Sequence, residues 1–299
     1  MDVSIIIVNY NTLKVTAECI ESVFKMTSGI SFEVILIDNA STDGSKEHFS
    51  ADTRIRYIYS ESNLGFGKAN NEAIGLATGR NILFLNPDTL LLNNAVKILS
   101  DYLDCNERVG ACGGNLYNAE MSPVISFERR FPSILSEVDY LFKGHLYKLL
   151  YGSDVKFNHS GKNIDVAYIV GADLMVRRTV LDEVGGFDPH FFMYYEEVEL
   201  CRRIFKRNYR ICNLPSAEIM HLEGMSTQKK DIIETLIRSE GLRLHGRKIY
   251  FDLTHGKLYH KLANAVRLAY LYSRLIWVKD AGALKVLNAT LNKFKDLYS

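Results

Sequence analysis

Ser4-Ile5-Ile6-Ile7-Val8-Asn9-Tyr10-Asn11-Thr12 joins a β-branched apolar run to a polar turn, and the fold can be worked outward from it. Ser4–Val8 has the composition of a buried strand. Asn11 or Thr12 then caps an amphipathic helix expected from Thr12 to Met26. The alternation repeats downstream. Glu33–Ile37, Arg54–Tyr59 and Asn81–Leu85 read as further strands, and a helix is predicted from about Gly67 to Ala77, ending at Gly79. Strands alternating with helices imply an α/β fold with a mostly parallel, Rossmann-like central sheet, wound in the right-handed sense and flanked by helices.

Ligands of such sheets collect at the carboxyl ends of the strands. Here those ends are polar: Asn9-Tyr10-Asn11 after the first, Asp38-Asn39-Ala40-Ser41 after the second, Asn86-Pro87-Asp88 after the fourth. Each alone reads as a turn, since these residue types are turn formers. All three on one rim point to a binding site.

The chain has 299 residues, with 47% hydrophobic and 24% charged, enough for one large α/β domain and an appendage. A net charge of +1 excludes a nucleic-acid binder of the basic kind. Five cysteines, never spaced C-x-x-C, argue against a disulfide scaffold or structural zinc and for reduced thiols in the cytoplasm. The start lacks the pattern of a signal peptide, and the longest apolar candidate, Leu262 to Val278, is interrupted by Arg267 and Arg274. The expectation is a cytoplasmic protein, soluble or peripheral on the membrane.

Residues 109–225 look less regular, with strands expected at Ala167–Val170 and Leu174–Arg178 and a helix from Glu196 to about Arg207. From about Ser226 the chain reads as helical. Lys257, Lys261, Asn264, Arg267 and Arg274 fall near one stripe, opposite Leu262, Val266, Leu268, Ala269, Leu275 and Ile276, and Lys285, Asn288, Asn292 and Lys295 form a second stripe. Two uses stay open for this extension: docking on anionic lipid, or packing on the α/β domain or a second subunit. The expected division is an α/β domain over 1–225, in two halves 1–115 and 116–225, followed by a helical extension over 226–299.

Three features carry chemistry. Asp88, at the end of an apolar strand, can hold Mg²⁺ or Mn²⁺ against a diphosphate, because hard cations take oxygen ligands. Gly185-Gly186-Phe187-Asp188-Pro189 leads through an aromatic run, Phe191 to Tyr195, into a helix whose first turn holds Glu196, Glu197 and Glu199. Acids there complement the helix dipole, and a carboxylate beside an aromatic wall is also how a general base is held. His221-Leu222-Glu223-Gly224, after the strand-like run Tyr209–Leu214, offers a phosphate or metal contact.

Taken together, Ser4–Asn11, Ile37–Gly44, Asn63-Leu64-Gly65-Phe66-Gly67-Lys68-Ala69-Asn70-Asn71, Phe84–Asp88 and Glu196-Glu197-Val198-Glu199-Leu200-Cys201-Arg202-Arg203 resemble glycosyltransferase family 2, with the motifs in order from about residue 2 to 227. Within it the chain is similar to bacterial rhamnosyltransferases that build O-antigens and other surface polysaccharides. The resemblance implies a GT-A fold and transfer of a sugar with inversion, from a nucleotide-sugar donor to a saccharide acceptor that is often linked to a polyprenol diphosphate. It favours dTDP-L-rhamnose as donor, with UDP-hexoses and UDP-galactofuranose behind. It places Asn9, Asn11, Asp38, Asn39, Ser41, Asn63, Gly65, Phe66, Asn71 and Asn86 around the donor, and Asp88 on the metal with His221 as a second contact. Glu197 takes the position of the catalytic base, with Glu196 as alternative, and Arg129, Arg130 and Tyr195 fall on the acceptor side.

Two positions depart from the family pattern. Asn86 stands where the metal motif often has a second aspartate, and Glu197 where an aspartate usually serves as base. The longer side chain shifts the carboxylate by about a bond, and a misplacement near 1 Å can cost on the order of 10²-fold. That change is the one feature favouring an inactive, binding-only homologue. A nicotinamide-dependent oxidoreductase is excluded by the turn Asn9-Tyr10-Asn11-Thr12, which lacks the glycine-rich fingerprint after the first strand.

Overall fold

The computed structural model describes residues 1–222 and 232–298. Its first half is β1 (Val3–Asn9), α1 (Leu13–Met26), β2 (Phe32–Asp38), α2 (Ser45–Ser50), β3 (Arg56–Tyr59), α3 (Phe66–Ile74) and β4 (Asn81–Leu85). β1 lies between β2 and β4, parallel to both, and β3 extends the sheet beyond β2. Side chains of β1 alternate between two cores: Val3, Ile5 and Ile7 pack on one face, Ile6 and Val8 on the other. Asn9 stands level with Asp38 in the β1–β2 register, so the first two polar turns leave the sheet at the same height.

The second half continues with β5 (Thr89–Leu91), α4 (Ala95–Cys105), β6 (Val109–Tyr117), β7 (Phe127–Glu128), α5 (Ile134–Leu141), α6 (His145–Tyr151), β8 (Ile164–Asp165), β9 (Tyr168–Ile169) and β10 (Asp173–Arg177). α7 (Arg178–Val184), α8 (Glu196–Lys206) and β11 (Arg210–His221) complete the sheet, whose order is β3-β2-β1-β4-β10-β6-β11-β5, with β8 on β11. β10 inserts antiparallel between β4 and β6, and β5 and β8 pair antiparallel with β11. The parallel sheet expected from the first half therefore becomes mixed in the second. Where an irregular region was expected, the chain forms the nine-residue strand β6. Its sequence, Val-Gly-Ala-Cys-Gly-Gly-Asn-Leu-Tyr, carries too few β-forming side chains to announce a strand. Helix α4 also lies outside the sequence expectation, although its buried face of Ala95, Val96, Leu99 and Leu103 is amphipathic.

Three helices follow the sheet: α9 (Ile232–Thr254), α10 (Lys257–Trp277) and α11 (Ala281–Tyr298). The expected boundary at 225/226 lies outside the described residues. α9 seats directly on the segment before α8. A Cβ added at Gly246 would stand 2.3 Å from the Tyr194 carbonyl oxygen, so only glycine permits that approach. Tyr250, Phe251 and Ala263 share a core with Phe191 and Val198, and Leu244, Leu271, Leu287, Leu291 and Phe294 form another among the three helices.

The stripe expected on α10 holds in part: Lys257, Lys261 and Arg274 are exposed and Leu268 and Leu275 pack inward, but Asn264 and Arg267 depart from it. Asn264 and Arg267 turn toward the protein, where the buried Arg247 donates to Asn264 Oδ1 (2.7 Å) and Arg267 Nε faces Glu137 Oε2 (3.0 Å). Leu258, Leu262, Tyr272 and Ile276 instead face outward, 73%, 53%, 44% and 74% exposed. A buried carboxylate at Glu137 outweighs the amphipathic pattern, because an unpaired charge there would be far costlier than an exposed leucine. Among the described residues no helix is long and apolar enough to cross a membrane.

Candidate active site

The loops after β1 and β2 lock each other. Asn9 Oδ1 accepts from Thr12 N (3.2 Å), Thr12 Oγ1 (2.6 Å) and Thr16 Oγ1 (3.1 Å), while its Nδ2 donates to Ser41 Oγ (3.1 Å). The Asn9 amide thus organises the start of α1 from a fully buried position. Ser41 Oγ also accepts from Asn11 N (2.9 Å), and Asn11 Oδ1 accepts from Thr42 N (2.8 Å). Asp38, equally buried, accepts from Ser41 N (2.9 Å) on one oxygen and from Tyr57 Oη (2.7 Å) on the other. Burial and the Asp38 carboxylate push the Tyr57 hydroxyl well up from its ordinary pKa. Asn11 and Ala40 hold left-handed backbones (φ 55° and 68°), which non-glycine residues adopt only when their surroundings fix them.

A second layer joins these loops to α3. Asn39 Nδ2 donates to Asn63 Oδ1 (3.0 Å), and Asn39 Oδ1 accepts from Leu64 N (2.8 Å). Gly65 (φ 81°) has no room for a side chain, since a Cβ would stand 2.4 Å from the Phe192 carbonyl oxygen. That same carbonyl accepts from Phe66 N (2.9 Å). Asn71 clamps Phe187 at both ends, donating to its carbonyl and accepting from its N–H, each at 2.8 Å. The donor-side segment 63–71 is thereby tied to the aromatic run 187–192 that leads into α8.

Asn86-Pro87-Asp88 and His221 meet across the sheet. Asp88 Oδ1 lies 3.3 Å from His221 Nε2, and Asn86 Nδ2 is 3.5 Å from the same nitrogen. His221 is the last residue of β11 and pairs with Thr89 of β5, so the contact is fixed by strand register. Asn86 N donates to the Ala172 carbonyl (2.9 Å), which brings the loop before β10 to this point. Sequence reasoning missed Asp173, opposite Leu85 in the β4–β10 ladder. It is fully buried, accepts from Gly114 N with one oxygen, has no hydrogen-bond partner on the other, and is pushed up to about 7, mainly by burial. Its only sequence signal is an acid at the head of an otherwise apolar strand.

Ahead of α8, Tyr194 and Tyr195 both take left-handed backbones (φ 70° and 76°), and Tyr195 is the N-cap residue. Two such residues in succession, outside glycine, store strain of about 1–3 kcal/mol each. They aim the first turn of α8 in two directions. Glu196 is buried, packs toward Gly67 of α3 and has an oxygen without a partner. Glu197 is half-buried and lies against Gly171, where a Cβ would stand 3.8 Å from its Cγ. Gly171 precedes Ala172, the residue bonded to Asn86. Glu197 therefore lies against the loop before β10, which is bonded to Asn86, and Glu196 faces α3. Burial pushes both carboxyls well above the usual carboxylate range, and mutual repulsion lifts Glu196 further. Arg243 of α9 pulls the other way on Glu197. Glu199 is taken up by a bidentate pair with Arg203 (2.8 and 2.9 Å).

Of the expected acceptor residues, Tyr195 adjoins this corner, whereas Arg129 and Arg130 stack on Tyr151 of α6 (4.7 and 5.8 Å). The guanidinium reaching Glu197 comes from Arg243 instead, a residue with no motif around it. Glu223 and Gly224 of the histidine motif lie outside the described residues.

The family model for glycosyl transferase family 2 matches residues 4–185, well over half of the chain. The chain belongs to glycosyl transferase family 2. A second model, glycosyl transferase family group 2, matches residues 102–272 of this transferase. The transferase is 29% identical over 211 residues to the N-acetylglucosaminyl-diphospho-decaprenol L-rhamnosyltransferase of Mycobacterium tuberculosis, covering 65% of this chain and 67% of that one. It is 27% identical over 224 residues to the low-salt glycan biosynthesis hexosyltransferase Agl10 of Haloferax volcanii, covering 74% and 67%. Among solved structures, a mannosyltransferase of Pyrobaculum calidifontis, crystallised with GDP-mannose and Mn²⁺, superposes with a TM-score of 0.59 at 16% identity, covering 99% of this chain and 86% of that one. The fold is that of the GT-A transferases.

Proposed function

We propose that this transferase moves L-rhamnose from dTDP-L-rhamnose, with inversion, onto a saccharide carried on a lipid diphosphate. The observation that carries the reading is the Asp88–His221 pair, joined through Asn86 and the Ala172 carbonyl to Gly171, against which the half-buried Glu197 lies. The rhamnose and the lipid-diphosphate acceptor are supported by the mycobacterial relative, whose name states both. A hexose donor, as UDP-hexose or UDP-galactofuranose, is the second reading, and the relative named a hexosyltransferase supports the hexose.

The residues fit a divalent cation. A carboxylate and an imidazole meet at Asp88 and His221, beside the Asn86 side-chain amide whose oxygen is its only donor to a cation, and the described residues offer no cluster of three or more His, Cys, Asp or Glu. That set suits Mg²⁺ or Mn²⁺ sharing its remaining positions with the donor diphosphate. When bound, the cation supplies positive charge to the departing diphosphate, a contribution of several kcal/mol. The chain's own residues do the rest. Asp38 and Asn39, buried behind the rim, fix the loops that would face the base and ribose, and Gly65 lets the α3 loop close on the Phe192 carbonyl. Glu197 accepts the proton of the acceptor hydroxyl as that oxygen attacks the anomeric carbon and the C–O bond to the diphosphate breaks. Its raised pKa makes it a stronger base at neutral pH, at the cost of needing alkaline conditions to be fully ionised.

The exposed apolar residues of α10, with Lys257 and Lys261 at one end of the helix and Trp277 (72% exposed) beside Lys143 at the other, support peripheral contact with the cytoplasmic membrane face, where such an acceptor resides. Thermal stabilisation by a panel of nucleotides tests the donor. A Mn²⁺-dependent rise in Tm with dTDP and dTDP-rhamnose, lost in Asp88→Ala, is the expected result. A rise with UDP compounds alone replaces rhamnose by the second reading. No rise with any nucleotide overturns the transferase mechanism in favour of a binding-only homologue.

A further inference from the structure

A cleft of about 1070 Å³ opens between the three C-terminal helices and Tyr140 and Tyr195, and the roles assigned above leave it unused. Arg243, Arg247, Arg267, Arg274 and Lys285 line it, against three acidic side chains. The cations are graded in depth. Arg247 forms the floor at 1% exposure, its Nε on Glu137 Oε1 (2.7 Å) and its Nη1 on Asn264 Oδ1 (2.7 Å) and Tyr298 Oη (3.0 Å). Its Nη2 is buried without an acceptor. Glu137 also faces Arg267, so one carboxylate serves two guanidinium groups and the floor keeps a net positive charge. At the mouth, Arg274 and Lys285 are exposed and make no ion pair among the described residues. Arg243 pairs with Glu240 (3.0 Å) and stacks on Tyr194 (4.8 Å), and Tyr195 lines the cleft, so the cleft adjoins the segment that enters α8. The wall is apolar, with Ile232, Leu236 and Leu271 among its residues.

A buried guanidinium N–H with no acceptor, beneath unpaired cations and beside a hydrocarbon wall, suits an anion that carries an apolar tail. We infer that this cleft binds the diphosphate of the acceptor, with Arg247 and Arg267 beneath it, Arg274 and Lys285 closing over it, and the first units of the lipid against Ile232 and Leu236. The inference rests on the lipid-diphosphate acceptor of the proposed function and assigns that substrate to residues of the helical extension. The donor diphosphate is taken up at Asp88, so this second anion site belongs to the other substrate.

Calorimetric titration of the full chain with farnesyl diphosphate, farnesol and inorganic pyrophosphate tests it. The wild type is expected to bind farnesyl diphosphate more tightly than either fragment. The rim substitution Arg274→Gln with Lys285→Gln should weaken that binding by about tenfold or more, as expected for two lost charge contacts, and leave dTDP affinity within about twofold. The inference is overturned if the double variant binds farnesyl diphosphate as the wild type does, or if Arg129→Gln with Arg130→Gln carries the loss instead. It is also overturned if the wild type binds dTDP but no farnesyl diphosphate. The parent reading fails separately: a soluble saccharide without diphosphate or lipid, used by the wild type as efficiently as the lipid-linked one, removes the lipid-diphosphate acceptor whatever the cleft binds.

Discussion

At the ends of β1 and β2, polar side chains are answered close at hand: Asn9 by Thr12 and Thr16, Asp38 by Ser41 and Tyr57, Asn39 by Asn63 and Leu64. At the head of α8 the opposite holds. Glu196 keeps an unpartnered oxygen, Glu197 is lifted by burial, and two successive tyrosines sit in left-handed backbone. The donor side is a preformed cradle in which hydrogen bonds are already spent on shape. The proposed catalytic corner holds its groups in an unrelaxed state, which is the condition a base needs to prefer a substrate proton over water.

The comparison breaks first at Glu197. Glu197→Gln keeps the volume and removes the proton acceptor, so turnover should fall by about 10²–10⁴-fold while dTDP affinity stays unchanged. Steady-state kinetics beside a nucleotide titration checks both halves. In the wild type, kcat/KM should rise with pH through the neutral range, because a carboxyl whose pKa is raised ionises later than an ordinary glutamate. A flat profile from pH 5 to 8 contradicts an unrelaxed base. A larger loss in Glu196→Gln than in Glu197→Gln moves the role to the carboxylate facing α3.

The next largest effect lies beneath the corner, where Arg247 and Arg267 share the single carboxylate of Glu137. Glu137→Leu leaves two buried guanidinium groups unpaired and should destabilise by about 3–5 kcal/mol in urea unfolding. A loss below about 1 kcal/mol would mean that these arginines reach water.

Glu196 provides a test of opposite sign. Its pKa is raised in the folded state, so its contribution to stability is present below the unfolded value and is lost as pH rises through the folded one. Glu196→Gln removes that penalty and should raise Tm at pH 8 by about 2–4 °C, the shift expected per kcal/mol for a chain of this size, with a smaller gain at pH 5. Equal shifts at both pH values would assign the change to packing rather than to charge.

What could be read in the sequence follows the same division. Asn9, Asp38, Asn39, Asn63 and Asp88 sit in turns next to strands whose apolar runs declare themselves, so strand, turn and site are local and legible together. Glu197 was visible as an acid in a first turn. That it faces Gly171, while its neighbour faces α3, depends on two backbone angles that sequence does not express. Asp173, Tyr57 and Arg243 act through register and helix docking over long sequence separations and carry no motif. On α10 the amphipathic pattern held at Lys257, Lys261 and Arg274 but not at Arg267, because Glu137, more than a hundred residues distant, draws it inward.

The smallest effect belongs to the cradle. Asp43 accepts from Leu13 N (2.9 Å) at the start of α1 and from Ser45 N (3.2 Å) at the start of α2, joining two helices through one exposed carboxylate. Despite some burial, its bonds to Ser45 and Leu13 hold its carboxyl below the usual range, so its stabilisation is present above the unfolded pKa and is lost as pH falls through the folded one. Asp43→Ala should cost about 1 kcal/mol at pH 7, as loss of a cap does, and less near pH 3. Turnover should stay at the wild-type value, since the carboxylate shapes the loop without facing the base. A fall in kcat with stability intact would show that the cradle is not finished before substrate arrives, and that the contrast between the two rims is one of degree.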